Sequence, residues 1–321
     1  LIKGVPVKQI TDDMKVVGGT AWNLQSELLE NKFDVLIIDE ASQLSLFHLL
    51  VMARCSDSIL LVGDQKQLGQ PIKAKHPGQA NLSCLDYLIN GENVIPNDKG
   101  FFLDISYRME PSITELVSQM SYDGKLKACK ANSLNRIAWH KCLHDIHGIP
   151  LPTKGLIFDP VFHEDCKITC EEEALRIKEI VDSLIGGKYW INSKSGEICN
   201  EITKDDIIVT SPFNVQVNLL KRHLKGQARV GTVDIMQGQE AAIAIYSLTS
   251  STIEDAPRGT NFILGDRFNV AISRTKCLSI VVGCPTLAEG KTKKVADAED
   301  INRLCTIINK SNANYLHRDN L

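Results

Sequence analysis

Apolar residues in this chain gather into short unbroken runs instead of alternating with polar ones. Val35-Leu36-Ile37-Ile38 is one such run, and Ser58 to Gly63, Ile207 to Thr210, Ala242 to Leu248 and Ser279 to Gly283 carry others. Runs of this length, rich in Ile and Val, are how strands buried on both faces of a parallel sheet read. Shorter strands are expected over Lys15–Thr20, Gly155–Phe158 and Val230–Asp234. Between them the spacing turns helical. Leu44, Phe47, Leu50 and Val51 share a face, and a helix is expected over Asn81–Asn90. Ile113, Leu116, Val117 and Met120 follow Pro111, well placed at a first turn. Thr169-Cys170-Glu171-Glu172 reads as a capping box for a helix carrying Ala174, Ile177, Val181 and Leu184, which stops at Gly186-Gly187. A further helix ends at Gly226, and Asn269–Lys276 is polar and basic at helical spacing. Residues 122–168 show little periodicity beyond the strand near Gly155. Strand and helix alternating in this way predict an α/β fold, a parallel sheet with helices on both faces built twice. The boundary falls near residue 103, giving domains over 1–103 and 104–321.

Two of the early strands end in polar crests. The first empties into Asp39-Glu40-Ala41-Ser42 and the second into Gly63-Asp64-Gln65-Lys66-Gln67. The carboxyl ends of parallel strands open into the crevice where ligands bind. An unpaired buried carboxylate there is costly, so the acidic pair needs a reason. A divalent metal on a nucleotide supplies one, with Asp39 holding Mg²⁺ through water and Glu40 orienting an attacking water. An amide such as Gln67 can donate to a terminal phosphate and lose that bond after cleavage. Each crest alone also reads as the ordinary polar end of a strand, Gly18-Gly19-Thr20 as an ordinary turn, and Arg108 as a solvated residue at a helix start.

Length and composition change this picture little. The 321 residues suit two domains at ~150 residues each. A hydrophobic share of 43% and a charged share of 23% are ordinary for a globular chain. The net charge of -3 removes bulk electrostatics as the means of holding nucleic acid, and leaves room for a narrow basic groove. No apolar run approaches the ~18 residues of a membrane span. The ten cysteines, without a framework spacing or a secretion signal, are expected to be reduced thiols of a cytoplasmic protein. His140, Cys142, His144 and His147, with His163, Cys166 and Cys170 further on, form the densest metal-like set. Their spacing matches no zinc finger, so no structural metal is expected. The chain starts at Leu1 in the middle of a pattern, and is expected to be the later part of a longer polypeptide.

Five motifs in order carry a resemblance: Asp39-Glu40-Ala41-Ser42, Gly63-Asp64-Gln65-Lys66-Gln67-Leu68, Tyr107-Arg108-Met109, Gly231-Thr232-Val233-Asp234 with Gln237-Gly238-Gln239-Glu240, and Ala271-Ile272-Ser273-Arg274. Together they resemble the later motifs of superfamily 1 helicases of the Upf1/Dna2 type, over nearly the whole chain. The resemblance implies two RecA-like parallel-sheet domains of the P-loop NTPase type with ATP and Mg²⁺ between them. It assigns Asp39 to the metal, Glu40 as the base and Gln67 as γ-phosphate sensor. Gly63, Asp64 and Gly238 would line the nucleotide, with Glu240 at its sugar. Arg108 and Arg274 would reach across as arginine fingers. Thr20, Ser211 and Thr232 would hold phosphates of single-stranded DNA or RNA on the opposite face, independently of base identity. Translocation would run 5′ to 3′. Asp255-Ala256-Pro257-Arg258-Gly259 further resembles members that follow a RecB-like nuclease domain in one polypeptide, although this chain carries no clustered carboxylates for cleavage.

The sequence departs from the family in lacking a Gly-x-x-x-x-Gly-Lys-Ser/Thr loop. Gly290-Lys291-Thr292 has the ending, but position 285 is Pro and the run follows the last motif. The first RecA-like domain is therefore expected to be incomplete at its N-terminus, with an exposed strand edge, and the chain to bind ATP poorly by itself. Ile235-Met236 also stands where an aromatic is common. The alternative reading is a RecA-like module that binds nucleic acid or protein without hydrolysis.

Overall fold

A computed structural model describes residues 4, 6–69, 78–80, 82–193, 196–292 and 294–316. The chain divides into two compact units, Leu1–Phe102 and Leu103–Leu321.

In the first unit Thr20 opens helix α1 (Ala21–Leu24), its hydroxyl and its N–H both donating to Asn23 Oδ1 at 2.7 and 3.1 Å. The strand expected over 15–20 does not form. No strand lies beside it among the described residues, and Val16 is 92% exposed. Without a neighbour to bond its backbone, an extended apolar segment is only a solvated loop. Strand β1 (Phe33–Ile38), helix α2 (Leu46–Met52), strand β2 (Ser56–Leu61) and helix α3 (Cys84–Ile89) follow. β1 and β2 pair in parallel with Ile38 opposite Leu61. Leu36 and Ile38 pack with Leu29, Ala41, Met52 and Leu85. Burial on both faces does not hold: Val35 is 50% and Ile37 64% exposed. In a two-stranded ribbon the helices cover one face of β1, so its alternate residues stay bare. The helix expected from Asn81 starts at Cys84, where Ser83 accepts from Asp86 N–H at 3.0 Å; Asn81 lies outside the described residues.

The second unit begins with two short parallel strands, β3 (Ile105–Ser106) and β4 (Lys127–Ala128), on either side of helix α4 (Pro111–Ser121) in sequence. Strand β5 (Arg136–Ala138), strand β6 (Gly155–Pro160), helix α5 (Glu171–Leu184), strand β7 (Lys188–Ser193) and strand β8 (Gly196–Glu201) come next. β5, β7 and β8 form an antiparallel sheet that the sequence did not foretell, β5 within the unpatterned 122–168 region and β7 and β8 beyond Gly186-Gly187. Then come β9 (Ile207–Ser211), α6 (Asn214–Leu224), β10 (Arg229–Thr232), β11 (Ala241–Ser247), α7 (Thr260–Leu264), α8 (Asp266–Ile272), β12 (Thr275–Gly283) and α9 (Val295–Leu316). Five strands make one parallel sheet in the order β10-β9-β11-β12-β6. α5 and α6 cover one face through Ile177, Val181, Leu184, Val217 and Leu220, packed on Ile207, Val209, Ile245 and Ile280. On the other face Tyr246 of β11 meets Phe268 of α8, ring centroids 5.6 Å apart. This is the mixed α/β architecture of a RecA-like domain, with β-strands that are continuous hydrophobic runs because both faces are covered.

Two local expectations shift. The cap of α5 is Cys170, whose sulfur accepts from Glu173 N–H at 3.4 Å, and not Thr169. The buried Gln216 amide takes Thr169 Oγ1 at 3.3 Å and Cys170 N–H at 2.8 Å, which withdraws the threonine from capping. Arg274 and Lys276 do not continue a helix: α8 stops at Ile272, and β12 begins at Thr275.

Candidate functional site

Parallel pairing sets the two polar crests of the first unit side by side. Ile38 and Leu61 are register partners, and the ladder runs on through Val62 N–H to Ile38 O (2.8 Å) and Ala41 N–H to Val62 O (2.9 Å). Asp39–Glu40 and Gly63–Asp64 therefore leave one sheet edge together. A Cβ on Gly63 would stand 2.8 Å from Ala41 N, so only glycine lets the two turns approach this closely. Glu40 is held in the left-handed region at φ 54°, a conformation that costs a non-glycine residue roughly 1–2 kcal/mol. Asp39 Oδ1 accepts from Glu40 N–H at 3.0 Å and steadies that turn. The Asp39 carboxylate is exposed, while Glu40 is half-buried and accepts from Gln43 Nε2 at 3.4 Å. Asp64 caps its own turn, accepting from Lys66 N–H (2.9 Å) and Gln67 Nε2 (3.2 Å), so the Gln67 amide is tied to Asp64.

A second constellation lies in the other unit, at the amino ends of β11 and β12. Four cations converge on two adjacent residues. Arg108 Nε donates to Glu240 Oε2 at 3.1 Å and Lys276 Nζ to Glu240 Oε1 at 2.6 Å. Arg229 donates to Gln239 Oε1 (3.0 Å) and to Glu240 O (2.8 Å). Arg274 donates to Gln239 O at 3.1 Å and, at a long 3.5 Å, to Val233 O. Glu240 is the carboxylate shared by Arg108 and Lys276 in this basic corner of a chain that is acidic overall. Partial burial works against the Glu240 charge, but Lys276 and Arg108 prevail and hold its carboxyl below the usual range. The two expected fingers differ sharply. Arg108 is about half exposed, whereas Arg274 is 3% exposed with its guanidinium under the Gln239 turn. Gly238, at φ +78°, makes that turn possible.

Ser211 and Thr232 are register partners at the carboxyl ends of β9 and β10, the opposite end of the strands from Glu240 and Arg274. Both side chains are buried. Ser211 Oγ lies 3.1 Å from Thr249 Oγ1, and Thr232 Oγ1 accepts from Ile235 N–H at 3.4 Å. Thr20 belongs to the first unit and is exposed, its hydroxyl spent on Asn23. Gly290 packs against Ile253, and Thr292 Oγ1 donates to Asp297 Oδ2 at 3.2 Å, so this run is a connection into α9. Lys276 and Arg229 were missed in sequence. Lys276 stands two residues beyond Arg274, and that proximity was its one available signal; Arg229 had none, because its partners are set by the β10–β11 crossing.

Residues 3–74 match one AAA-domain family model, and residues 81–286 match a second. The chain is 29% identical over 289 residues to DNA polymerase alpha-associated DNA helicase A of Schizosaccharomyces pombe, covering 86% of this chain and 41% of that protein. It is 28% identical over 284 residues to RNA helicase Mov10l1 of Homo sapiens, covering 79% and 22%. It is 24% identical over 318 residues to the DNA replication ATP-dependent helicase/nuclease DNA2 of Xenopus laevis, covering 88% and 28%. The chain thus spans between 22% and 41% of the lengths of these relatives.

Proposed function

This chain belongs to the AAA-domain family of superfamily 1 helicases, and we propose that it forms the later part of an ATP-dependent nucleic-acid translocase or helicase. The observation that carries the proposal is the pair of crests on β1 and β2. An acidic pair with a strained Glu40 stands directly beside the Asp64–Gln67 turn, at the carboxyl edge of parallel strands. The exposed, hard-oxygen carboxylate of Asp39 fits a magnesium ion. Bound Mg²⁺·ATP supplies the phosphoryl group and the charge that spreads during its transfer. In this reading Asp39 holds the metal, Glu40 takes the proton of the attacking water, and Gln67 turns from Asp64 toward phosphate. Gly63 and Asp64 keep that turn close, and Gly238 and Glu240 serve the nucleotide in the second unit. Arg108 and Arg274 stabilise the transferred charge, with Lys276 and Arg229 added to the cationic corner. Arg108 can leave Glu240 at little cost, since a half-exposed ion pair is worth about 0–1 kcal/mol and Lys276 remains to balance the carboxylate.

The nucleic-acid role falls to Thr20, Ser211 and Thr232. The exposure of Thr20 favours direct contact, and the burial of the other two favours shaping the strand ends over touching phosphate. A 5′ to 3′ direction, single-stranded DNA or RNA as track, a nuclease domain in the same polypeptide and a cytoplasmic location complete the proposal. No helix among the described residues is long and apolar enough to cross a membrane. The non-hydrolysing module stays in view because the sequence has no Gly-x-x-x-x-Gly-Lys-Ser/Thr loop. The test is the strand-stimulated ATPase of the full-length polypeptide. Glu40→Gln should lower turnover by about 10²–10⁴-fold with nucleotide binding kept, and unchanged turnover removes Glu40 as the base. Calorimetry on this chain alone should show weak ATP binding.

A further inference from the structure

The sequence set aside its histidines and cysteines as lacking a zinc-finger spacing, yet the fold gathers three of them. A ring nitrogen of His163 and the sulfurs of Cys166 and Cys170 lie within 4.8 Å of one another. They occupy the loop between β6 and α5, against the segments that follow β11 and β12. This is the carboxyl edge of the sheet, away from the Arg108–Glu240–Arg274 corner at the amino ends. From this cluster we infer that the chain holds one Zn²⁺ on His163, Cys166 and Cys170, with Glu172 as the fourth ligand.

Each part of a thiolate–imidazole zinc centre is present. Both oxygens of the fully buried Glu173 accept from Thr249 N–H, at 2.9 and 3.1 Å, and Oε2 also accepts from Ser247 Oγ. His163 Nε2 lies 3.0 Å from Glu173 Oε1, and with Glu173 accepting there, the Nε2 proton leaves the lone pair on Nδ1. This is the carboxylate–histidine arrangement that orients metal-bound imidazoles. Nδ1 now accepts from Ser251 Oγ at 2.7 Å, a bond that a metal ion on Nδ1 would displace, and the same Ser251 oxygen accepts from Cys166 N–H at 3.0 Å. Glu172 lies outside the three-residue cluster, but its exposed side chain already accepts from Cys170 Sγ at 3.3 Å through Oε2, and a turn of that side chain would bring the carboxylate to the metal.

The distances suit the ion. Tetrahedral ligands at about 2.3 Å from zinc stand roughly 3.8 Å apart. Closing from 4.8 Å is a movement of about 1 Å, within reach of a cysteine rotamer change. Two sulfurs, one nitrogen and a carboxylate are a donor set that selects Zn²⁺ over Mg²⁺ or Ca²⁺. A zinc here would clamp the 161–170 loop to the first turn of α5 and to the Ser251 segment.

The experiment uses the purified chain, stripped with chelator and titrated with Co²⁺ alone, then Zn²⁺ alone. One equivalent of Co²⁺ should give a thiolate-to-cobalt charge-transfer band and tetrahedral visible bands, both erased by stoichiometric Zn²⁺. Cys166→Ser and Cys170→Ser should each remove the charge-transfer band or weaken binding at least tenfold, and Glu172→Gln should weaken it without loss of the band. The exposed Cys142 and Cys199 serve as controls, and Cys142→Ser with Cys199→Ser should leave the titration unchanged. Circular dichroism establishes that each variant is folded; should Cys170→Ser not fold, Cys166→Ala at the less buried position decides. No thiolate band in the parent chain overturns the assignment, as does a Cys166→Ala variant that keeps the band with unweakened binding, or a band that disappears with the control variant.

Discussion

Arg108 and Arg274 share one role by resemblance, but the structure anchors them so differently that their replacement by alanine should separate stability from turnover. Arg108 is about half exposed and loses one ion pair, at 3.1 Å, and a marginal 3.5 Å bond to Ser273 O. Glu240 keeps Lys276 at 2.6 Å, so no carboxylate is stranded. Pairs this exposed are worth about 0.2–1 kcal/mol, and Arg108→Ala should cost the fold no more. An arginine finger is worth roughly 10³-fold or more in turnover, equivalent to about 4 kcal/mol on the barrier. Arg274 is 3% exposed and donates to Gln239 O and Val233 O. Hydrogen bonds from a charged donor contribute about 1.5–3 kcal/mol each. The 3.5 Å contact belongs at the weak end, so Arg274→Ala should cost roughly 3 kcal/mol of stability in addition to its effect on turnover. Urea unfolding of this chain, followed by the fluorescence of Trp139 and Trp190 in the second unit, reads the first quantity. Strand-stimulated ATPase of the full-length polypeptide reads the second. An Arg108→Ala protein destabilised by more than about 2 kcal/mol, or one that keeps its turnover, refutes the division drawn here, and so does a stability-silent Arg274→Ala.

Two further outcomes follow from buried features of the second unit. Asp159 of β6 is fully buried and gripped by Arg176, with Nε to Oδ2 at 2.7 Å and NH2 to Oδ1 at 3.2 Å, and burial still raises its carboxyl above the ordinary value despite that pull. A raised acid favours the protonated folded form, so its contribution to stability is present at low pH and is lost as pH rises through the folded value. Arg176→Met removes the opposing cation and pushes that value further up. Its deficit relative to the parent should be small near about pH 4 and grow to roughly 3–5 kcal/mol by about pH 7. Adding Asp159→Asn should flatten the difference, and a deficit equal at both pH values would show the pair is not what holds α5 to β6. Gly187 sits where a Cβ would meet Ala138 O at 2.3 Å, Leu184 O at 2.9 Å and His140 N at 3.0 Å, all backbone atoms with no rotamer to yield. Gly187→Ala should therefore lower unfolding stability by about 2–3 kcal/mol, and a change under about 0.5 kcal/mol would mean the junction of β5, α5 and β7 gives way freely.

The strands of the parallel sheet were legible in the sequence because a strand covered on both faces must be apolar throughout, and that requirement leaves a local mark at each of β9, β11 and β12. The order of the motifs was legible for a similar reason, since turns that end such strands concentrate polar residues at fixed offsets, as at Asp39-Glu40 and Asp64–Gln67. The same local rule failed at β1, whose run looks buried throughout yet leaves Val35 and Ile37 bare, because coverage depends on what packs against a strand and not on the strand. It failed at Lys15–Thr20, which has strand composition and no strand neighbour among the described residues, and at β5, whose partner β7 lies some fifty residues further on. Tertiary structure alone decided that Arg274 is sunk beneath Gln239 while Arg108 stays at the surface. It also brought Lys276 and Arg229 onto the Gln239–Glu240 turn, and set His163 against Cys166, Cys170 and Glu173. Arg108, Arg229, Lys276 and the Gln239–Glu240 turn come from separate strand ends, and distance along the chain carries no record of which ends the sheet will bring together, whereas His163, Cys166, Cys170 and Glu173 share one connection whose folded path the residue spacing did not reveal.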